Sequence, residues 1–227
     1  MPNLKTPLHL DMLQKARKRL SLFPRIKKAI KVLLGREDFY GLEWGDPENV
    51  EPLKYVKDHF LLPYINSDST IIEIGPGGGR WTRYMLHAKQ IFAIDFYQPV
   101  LDELAKNYNL PNINIIKNNG MDFPNIDNES IDLIFSFGTF VHLDTEIINE
   151  YLKNIKPLLK QNSNVIIQYS DKTKPIGYDR IVNSRNNRGF SDNEPEKMRK
   201  LILQHGYNIY EEDEKTMWHS SIIRFGL

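Results

Sequence analysis

A short glycine-rich segment is the first feature of the chain whose composition suits it to chemistry. Gly75-Pro76-Gly77-Gly78-Gly79 follows directly on the apolar run Ile71-Ile72-Glu73-Ile74, which has the character of a buried strand. A turn of glycines leaves the main chain bare for a ligand to approach, and glycine accepts the positive φ angles that sharp turns need. The segment therefore predicts a ligand-binding turn at the carboxyl end of a strand, where the crevice of an open α/β sheet lies.

The spacing of the glycines decides which class of ligand the turn suits. A dinucleotide-binding fingerprint reads Gly-x-Gly-x-x-Gly, and its third glycine would fall on residue 80, which is Arg80. The pattern present is Glu73-x-Gly75-x-Gly77-x-Gly79. This mismatch disfavours a nicotinamide cofactor, although a nicotinamide-dependent oxidoreductase on a related fold stays among the alternatives.

Acidic residues follow two further strands of the predicted sheet. Asp95 ends the run Phe92-Ala93-Ile94, where a carboxylate can accept hydrogen bonds from both vicinal hydroxyls of a ribose. After the next strand comes Asn119-Gly120-Met121-Asp122-Phe123, a turn that carries a second acid. Because the ligand crevice of such a sheet lies at the carboxyl ends of its strands, we expect Asp95 and Asp122 to lie near the glycine turn.

Together these segments resemble the class I S-adenosylmethionine-dependent methyltransferases. The resemblance rests on four segments in the family's order between Ile71 and Asp144, the last being the loop Gly138 to Asp144 after the fourth strand. It implies a Rossmann-like fold and S-adenosylmethionine as cofactor, with the acid of the third segment accepting from the adenine amine and the following backbone N–H meeting the ring. The cofactor-binding residues that it implies are Glu73, Gly75, Gly77, Gly79, Asp95, Asp122, Phe123 and Ser136.

Methyl transfer from a sulfonium depends mainly on alignment of the acceptor and on exclusion of water. An alcohol acceptor must also lose a proton, and a histidine is suited to take it near neutral pH. His142, in the loop after the fourth strand, is the predicted catalytic base, with Asp144 or another carboxylate orienting its ring. His219 and Asp171 are the alternatives to His142. No spacing typical of a metal site, such as His-Glu-x-x-His, occurs, so we predict no metal.

Alternating strand and helix patterns predict the elements that position these residues. Apolar runs predict seven strands, over residues 71–74, 90–94, 113–117, 131–137, 164–169, 208–213 and 220–225. Amphipathic patterns predict helices over residues 53–64, 80–88, 99–107, 145–159 and 194–205, and further helices between residues 8 and 36. The fold class that follows is α/β, a doubly wound, mostly parallel seven-stranded sheet with an antiparallel edge strand and an N-terminal helical extension.

The chain is long enough for one α/β domain with appendages. We predict an N-terminal helical extension or cap over residues 1–66 and a cofactor-binding domain over residues 67–227, with a lid-like insertion near 171–190. The absence of cysteine excludes disulfides and thiolate zinc sites and agrees with a cytoplasmic location. No apolar run approaches the ~20 residues of a membrane-spanning helix, and the first residues lack the apolar stretch of a secretory signal.

Charge and motif content narrow the acceptor and the partners. Lys and Arg total 30 against 29 Asp and Glu, so a net charge of +1 offers no global field that would attract nucleic acid. The stretch Ser136-Phe137-Gly138-Thr139 also differs from the Pro-Pro-aromatic motif expected of base-amine methyltransferases. More loosely, the chain is similar to bacterial methyltransferases of polysaccharide or other glycan assembly. This favours O-methylation of a hydroxyl on a small-molecule or glycan acceptor, and a non-catalytic S-adenosylmethionine-binding or scaffold protein is the alternative.

The N-terminal segment is strongly basic. Nine Lys or Arg residues and no acid lie between Met12 and Arg36, and apolar residues such as Ile26 and Ile30 fall on one stripe. Such a pattern is typical of a covering helix with a solvated face. Contact with an anionic membrane surface, binding of an acidic acceptor and a homodimer contact are the alternatives for this segment.

Overall fold

The structure is a computed structural model, and it describes residues 40–183 and 189–227. The predicted basic helices between residues 8 and 36, with the membrane or dimer contacts considered for them, lie outside the described residues. Within the described part, no helix combines the length and the apolar composition that crossing a bilayer requires.

One sheet organises the described part of the chain, with its seven strands in the order β3-β2-β1-β4-β5-β7-β6. The strands are β1 (Thr70–Ile74), β2 (Gln90–Asp95), β3 (Ile113–Lys117), β4 (Ile131–Ser136), β5 (Leu159–Ser170), β6 (Asn208–Asp213) and β7 (Ser220–Gly226). The first five strands are parallel to one another, and β7 runs antiparallel to both of its neighbours, β5 and β6. The predicted sheet with an antiparallel pair at one edge is confirmed. The strand that runs opposite to the others is β7, and it lies between β5 and the edge strand β6.

Five α-helices flank this sheet in the described residues. They are α1 (Glu51–Tyr55), which continues as a π-helix over Val56–Leu61, and α2 (Gln98–Asn107), α3 (Thr145–Ile155), α4 (Pro175–Val182) and α5 (Pro195–Gln204). Four of them, all except α3, carry proline in the first turn, where its missing N–H would have no partner in the helix. The helices predicted over residues 53–64, 99–107, 145–159 and 194–205 are present as α1, α2, α3 and α5. The remaining helix, α4, lies in the polar stretch that was predicted as a lid-like insertion.

The predicted helix over residues 80–88 is wrong. The connection from β1 to β2 consists of turns and a 3₁₀-helix over Thr82–Tyr84. Aromatic and β-branched side chains are poor helix formers, and here they are engaged in tertiary contacts. The Trp81 ring lies 4.7 Å from the ring of Phe137, centroid to centroid, and the Thr82 hydroxyl donates to Glu73.

Neighbouring residues of a strand point to opposite faces of the sheet, and other elements of the chain cover both faces. Ile72 and Ile134 belong to a core cluster with side chains of α3 and α5. Ile71 and Leu133 belong to a second cluster with side chains of the α1 segment and of the β1–β2 connection. All four are completely buried, and burial of each such side chain stabilises the fold by about 1.5–3 kcal/mol.

The strand order places a crevice between the ends of β1 and β4. The chain proceeds from β1 to β2 and β3 on one side and then returns to β4 on the other side of β1. In open α/β sheets ligands bind at the carboxyl ends of the strands where the winding reverses in this way. The residues that follow β1, β2 and β4 therefore border one site.

Candidate functional site

The glycine turn after β1 is a tight loop in which three glycines have positive φ: Gly75 (72°), Gly77 (61°) and Gly79 (101°). A Cβ on Gly75 would lie 1.8 Å from the Thr139 hydroxyl oxygen, and one on Gly79 would lie 2.1 Å from the ring of Tyr108. Both positions therefore require glycine for conformation and for space. The positive φ angles that were predicted for this turn are confirmed.

Residues far along the chain hold the turn in place, and these residues were missed in the sequence. The Gly78 N–H donates to the backbone carbonyl of Tyr40 (2.8 Å). The side-chain amide of Asn107 donates to the Gly78 carbonyl (2.8 Å), and the Tyr108 hydroxyl donates to the Gly79 carbonyl (3.3 Å). Asn107 is the last residue of α2 and Tyr108 follows it. The helix that comes after β2 in the chain therefore holds the turn that comes after β1.

Substitution of Gly79 by alanine is expected to lower the free energy of unfolding by about 2–5 kcal/mol. Left-handed backbone costs a non-glycine residue about 1–2 kcal/mol, and the overlap with Tyr108 adds about 1–3 kcal/mol. Gly206→Ala is the matched control, because Gly206 also has positive φ (72°) but a Cβ there would meet only the flexible end of Lys156 at 3.1 Å. Urea denaturation compares the two variants. Equal losses would show that Tyr108 does not restrict residue 79.

Glu73 lies in β1 beneath the turn and is almost completely buried, with 2% of its surface exposed. Its Oε2 accepts a hydrogen bond from the Thr82 hydroxyl at 2.5 Å. Burial raises the pKa of Glu73 to about 7, against the lowering effects of the Thr82 hydrogen bond and the charge of Arg80. Glu73 thus supports the turn from within the core. With a pKa of about 7, its side chain is partly protonated in the folded protein near neutral pH.

The variant Glu73→Gln is expected to gain stability relative to wild type as the pH rises. The folded protein binds the Glu73 proton more tightly than the unfolded chain, so the stability of wild type falls as the pH rises from about 4.5 to about 7 and levels off above that. Glutamine removes this loss and keeps an acceptor for Thr82. Urea denaturation of both proteins at several pH values measures the difference, and a difference independent of pH would contradict the raised pKa.

The two predicted acids lie at the ends of neighbouring strands. Asp95 ends β2, is half-buried, and accepts the Tyr97 N–H at Oδ1 (2.8 Å). Burial raises the pKa of Asp95 to about 6, and hydrogen bonds from the Tyr97 and Phe96 amides oppose this shift. Asp122 accepts the Asn119 N–H at Oδ1 (2.8 Å) within a turn that further side-chain bonds make compact. Phe123 contacts the ring of Tyr151 edge to face at 5.8 Å.

The loop after β4 is tied to its neighbours through side chains. Ser136 is buried, and its hydroxyl donates to the carbonyl oxygen of Ile74 at the end of β1 (2.9 Å). The Gly138 N–H donates to Oε1 of Gln168 (2.9 Å), whose amide in turn donates to Ser220 (2.7 Å). Ser136 therefore joins β4 to β1 in this structure. Gln168 was missed, although a polar residue inside the apolar run of β5 is a signal of such a buried contact.

His142 is the last residue of the 3₁₀-helix Phe140–His142, in the loop that follows β4. Its Nδ1 lies 3.0 Å from the carbonyl oxygen of Gly189, and because a carbonyl only accepts, Nδ1 carries the proton. Nε2 is then the basic nitrogen of the neutral ring. Burial lowers the pKa of His142, against the raising effect of the Gly189 carbonyl, so the ring is neutral at physiological pH.

Phe190 brings the two predicted histidines into one cluster. Its ring contacts the rings of His142 at 5.4 Å and of His219 at 5.2 Å, both edge to face. The guanidinium of Arg180, on α4, lies 5.1 Å from the centre of the same ring. The insertion after β5 therefore contributes one wall beside His142.

The predicted orientation of His142 by Asp144 is wrong, since the partner of Nδ1 is the Gly189 carbonyl. Asp144 is instead the N-cap residue before α3, where its backbone carbonyl accepts from Ile147 and Ile148 and its charge suits the helix dipole. Asp171 was the other alternative. It is completely buried and its carboxylate accepts hydrogen bonds from Thr173 and Ser221, so its oxygens are engaged inside the fold. Among residues 40–183 and 189–227, no group of three or more His, Asp or Glu side chains is arranged to hold a metal ion.

Comparisons with known proteins find similarity to methyltransferases. Residues 71–162 match a family model described as a methyltransferase domain. A methyltransferase-like protein of the yeast Schizosaccharomyces pombe is 32% identical over 124 residues, which are 54% of this chain and 45% of that protein. The chain thus spans less than half the length of the curated relatives that it matches.

Solved structures show a similar fold. An S-adenosylmethionine-dependent methyltransferase from Mesorhizobium loti superposes with a TM-score of 0.64 at 11% identity, over 79% of this chain and 99% of that chain. The CcbJ methyltransferase from Streptomyces caelestis superposes with a TM-score of 0.61 at 13% identity, over 81% and 99% of the two chains. At these identities the likeness establishes the architecture.

Proposed function

We propose, from the premise that residues 71–162 form a methyltransferase domain of the S-adenosylmethionine-dependent class, that this protein methylates a hydroxyl of a small-molecule or glycan acceptor. Family and fold imply S-adenosylmethionine as the cofactor. The observation that carries the proposal is the strand order β3-β2-β1-β4, in which the glycine turn follows β1, Asp95 ends β2 and the loop that holds His142 follows β4. The proposal places the protein in the cytoplasm, with no nucleic-acid partner.

The residues at the crevice fit an S-adenosyl group. When bound, this cofactor supplies a methyl group on a sulfonium, which is open to attack from the side opposite sulfur. At Gly77 an added Cβ would meet the backbone carbonyl of Tyr40 at 3.3 Å, and the φ of 61° also favours glycine, so this residue keeps the turn closely packed against Tyr40. Asp95 would accept from the ribose hydroxyls, and Asp122 and the Phe123 N–H would meet the adenine.

His142 is the residue that we assign to proton transfer. Its Nδ1–H donates to Gly189, so its Nε2 lone pair is available to accept the proton of an attacking hydroxyl. The Phe190 ring lies beside His142, and the guanidinium of Arg180 lies over that ring. Phe190 would line the acceptor site, because an aromatic surface covers the apolar face of a sugar or a flat metabolite. The wall that Gly189 and Phe190 provide beside His142 would exclude water from the reacting atoms.

Two experiments test the proposal in order. Calorimetric titration with S-adenosylhomocysteine is expected to give binding and titration with NAD to give none, and absence of S-adenosylhomocysteine binding at millimolar ligand would overturn the proposal. Transfer of a labelled methyl group into fractionated cell extract, followed by mass spectrometry, then identifies the acceptor. Cofactor binding without transfer to any fraction would favour the alternative of a non-catalytic binding or scaffold protein.

A further inference from the structure

Trp218 lies in the loop between β6 and β7 and has the largest exposed fraction, 65%, among the large apolar side chains of the described residues. Because β6 runs parallel to β5 and β4, this loop lies at the same edge of the sheet as the loop that holds His142. An indole exposed to water carries a hydrophobic cost, and contact with a ligand would remove its apolar surface from water. Trp218 is therefore placed to contact a molecule that extends out of the crevice.

Lys174 holds this loop in place from the segment that follows β5. Its Nζ donates to the carbonyl oxygens of Met217 (2.8 Å) and Ser220 (2.6 Å), on either side of the residue that carries the indole. The carboxylate of Asp171, whose Oδ2 lies 3.8 Å from Nζ, balances the charge of the ammonium. The Asp171 N–H also donates to the carbonyl oxygen of His219 (3.3 Å). Three carbonyls of the loop are thus bound, so the exposed indole is carried by a fixed backbone.

The first turn of α4 packs closely against the same loop. A Cβ on Gly177 would lie 1.8 Å from the carbonyl oxygen of Asp171 and 3.0 Å from that of His219, so no side chain fits at this position. Tyr178 follows Gly177 on α4, and 56% of its surface is exposed. Because Trp218 directly precedes His219, the contact of Gly177 with His219 brings two exposed aromatic residues to one part of the surface.

A row of rings connects this part of the surface with the proposed base. The ring of His219 lies 5.2 Å from the ring of Phe190, and the Phe190 ring lies 5.4 Å from the ring of His142, both measured between centroids. All three residues are partly exposed. The surface at Trp218 is therefore continuous with the acceptor site that is proposed beside His142.

We propose that Trp218 and Tyr178 bind a sugar unit next to the one that receives the methyl group, so that the acceptor is a glycan of at least two units. This inference rests on the proposed function and narrows its class of acceptor. The face of an aromatic ring covers the apolar face of a sugar. A ring on a fixed backbone loses little conformational freedom when it binds, which favours affinity.

The charges around the indole favour a glycan over an anionic membrane surface. Glu214 and Lys215 are exposed in the same loop, and Glu214 pairs with Arg199. Carboxylate and ammonium groups form hydrogen bonds with sugar hydroxyls. Residues 214–219 contain one acid and one lysine, so the loop lacks the cluster of basic residues that binds anionic lipid.

The test uses the acceptor fraction that gains the methyl label in cell extract. Mass spectrometry is expected to identify the labelled product as a glycan of two or more units. In Trp218→Ala, the KM for this acceptor is expected to rise ~10-fold or more and kcat to stay within ~2-fold of wild type, because the substitution removes binding that the ground state and the transition state share. Trp218→Phe, which keeps a ring, and Tyr178→Ala are expected to show smaller rises in KM. The affinity for S-adenosylhomocysteine should stay unchanged in all three variants.

The control variant is Tyr210→Ala, which removes a 40% exposed aromatic residue of β6 whose hydroxyl donates to the Leu227 carbonyl, and it is expected to leave KM unchanged. A labelled product of a single unit, or an unchanged KM in Trp218→Ala, would overturn the inference. Loss of binding to phosphatidylglycerol vesicles in Trp218→Ala with an unchanged KM would also overturn it and assign the indole to a membrane surface. In these cases methyl transfer by wild type still supports the proposed function, whereas failure of wild type to bind S-adenosylhomocysteine refutes that function.

Discussion

Replacing His142 with alanine is expected to lower methyl transfer ~100-fold or more, as loss of a general base does, and to leave the affinity for S-adenosylhomocysteine nearly unchanged. The reason is the geometry of the ring. Its Nδ1–H is held by the Gly189 carbonyl at 3.0 Å, which fixes the tautomer and leaves Nε2 as the proton acceptor. A residue with this role contacts the acceptor hydroxyl and makes no contact that cofactor affinity requires.

The pH profile distinguishes a base from a residue that only shapes the site. Because burial lowers the pKa of His142 below its usual value of 6.5, the acid limb of kcat/KM is expected below pH 6.5 in wild type and absent in His142→Ala. His87→Ala, at an exposed histidine, is the matched control and is expected to keep both rate and profile. Unchanged turnover in His142→Ala would show that the reaction needs no base at this position.

The strands were predicted well because their signal is local. A parallel strand buried on both faces is a short apolar run, and β1 and β4 show this character along almost their whole length. The segment after Gly79 was predicted as a helix because its length and place in the alternation suit one. Its conformation is instead set by where Trp81 and Thr82 pack, which depends on Phe137 and Glu73 elsewhere in the chain.

The residues of the site were likewise predicted where a local pattern indicates them and missed where their contacts are distant in the chain. The glycine turn could be predicted because alternate glycines directly after an apolar strand indicate a turn with positive φ angles. The position of Asp95 could be predicted because it directly ends the apolar run of β2. The contacts of Tyr40 and Asn107 with Gly78 join residues about 30 or more positions apart, so no local pattern reports them. Asp144 was assigned to His142 from proximity in sequence, but it is the N-cap residue of a helix and the ring meets Gly189 from the insertion.

Replacing Asp95 with asparagine is expected to lower the affinity for S-adenosylhomocysteine at least ~100-fold, since hydrogen bonds to a charged group contribute about 1.5–3 kcal/mol each and a ribose offers two hydroxyls. Asparagine keeps the volume and one acceptor for the Tyr97 N–H, which holds Asp95 at Oδ1 (2.8 Å), so the turn after β2 should survive. The lost affinity would therefore report the charge. Calorimetric titration at pH 8 gives the comparison, with thermal unfolding to confirm that the variant folds.

The pH dependence of binding makes the assignment of Asp95 specific. Burial raises the pKa of Asp95 to about 6, and ribose hydroxyls donate better to the ionised form, so wild-type affinity should fall as the pH drops through about 6. Asp95→Asn should lack that fall. Asp102→Asn, on the exposed side of α2 where Asp102 accepts from Gln98, is the matched control and should behave as wild type. A pH-independent wild-type affinity would show that the ribose does not bind at Asp95. It would then also contradict the proposed orientation of the cofactor across β1.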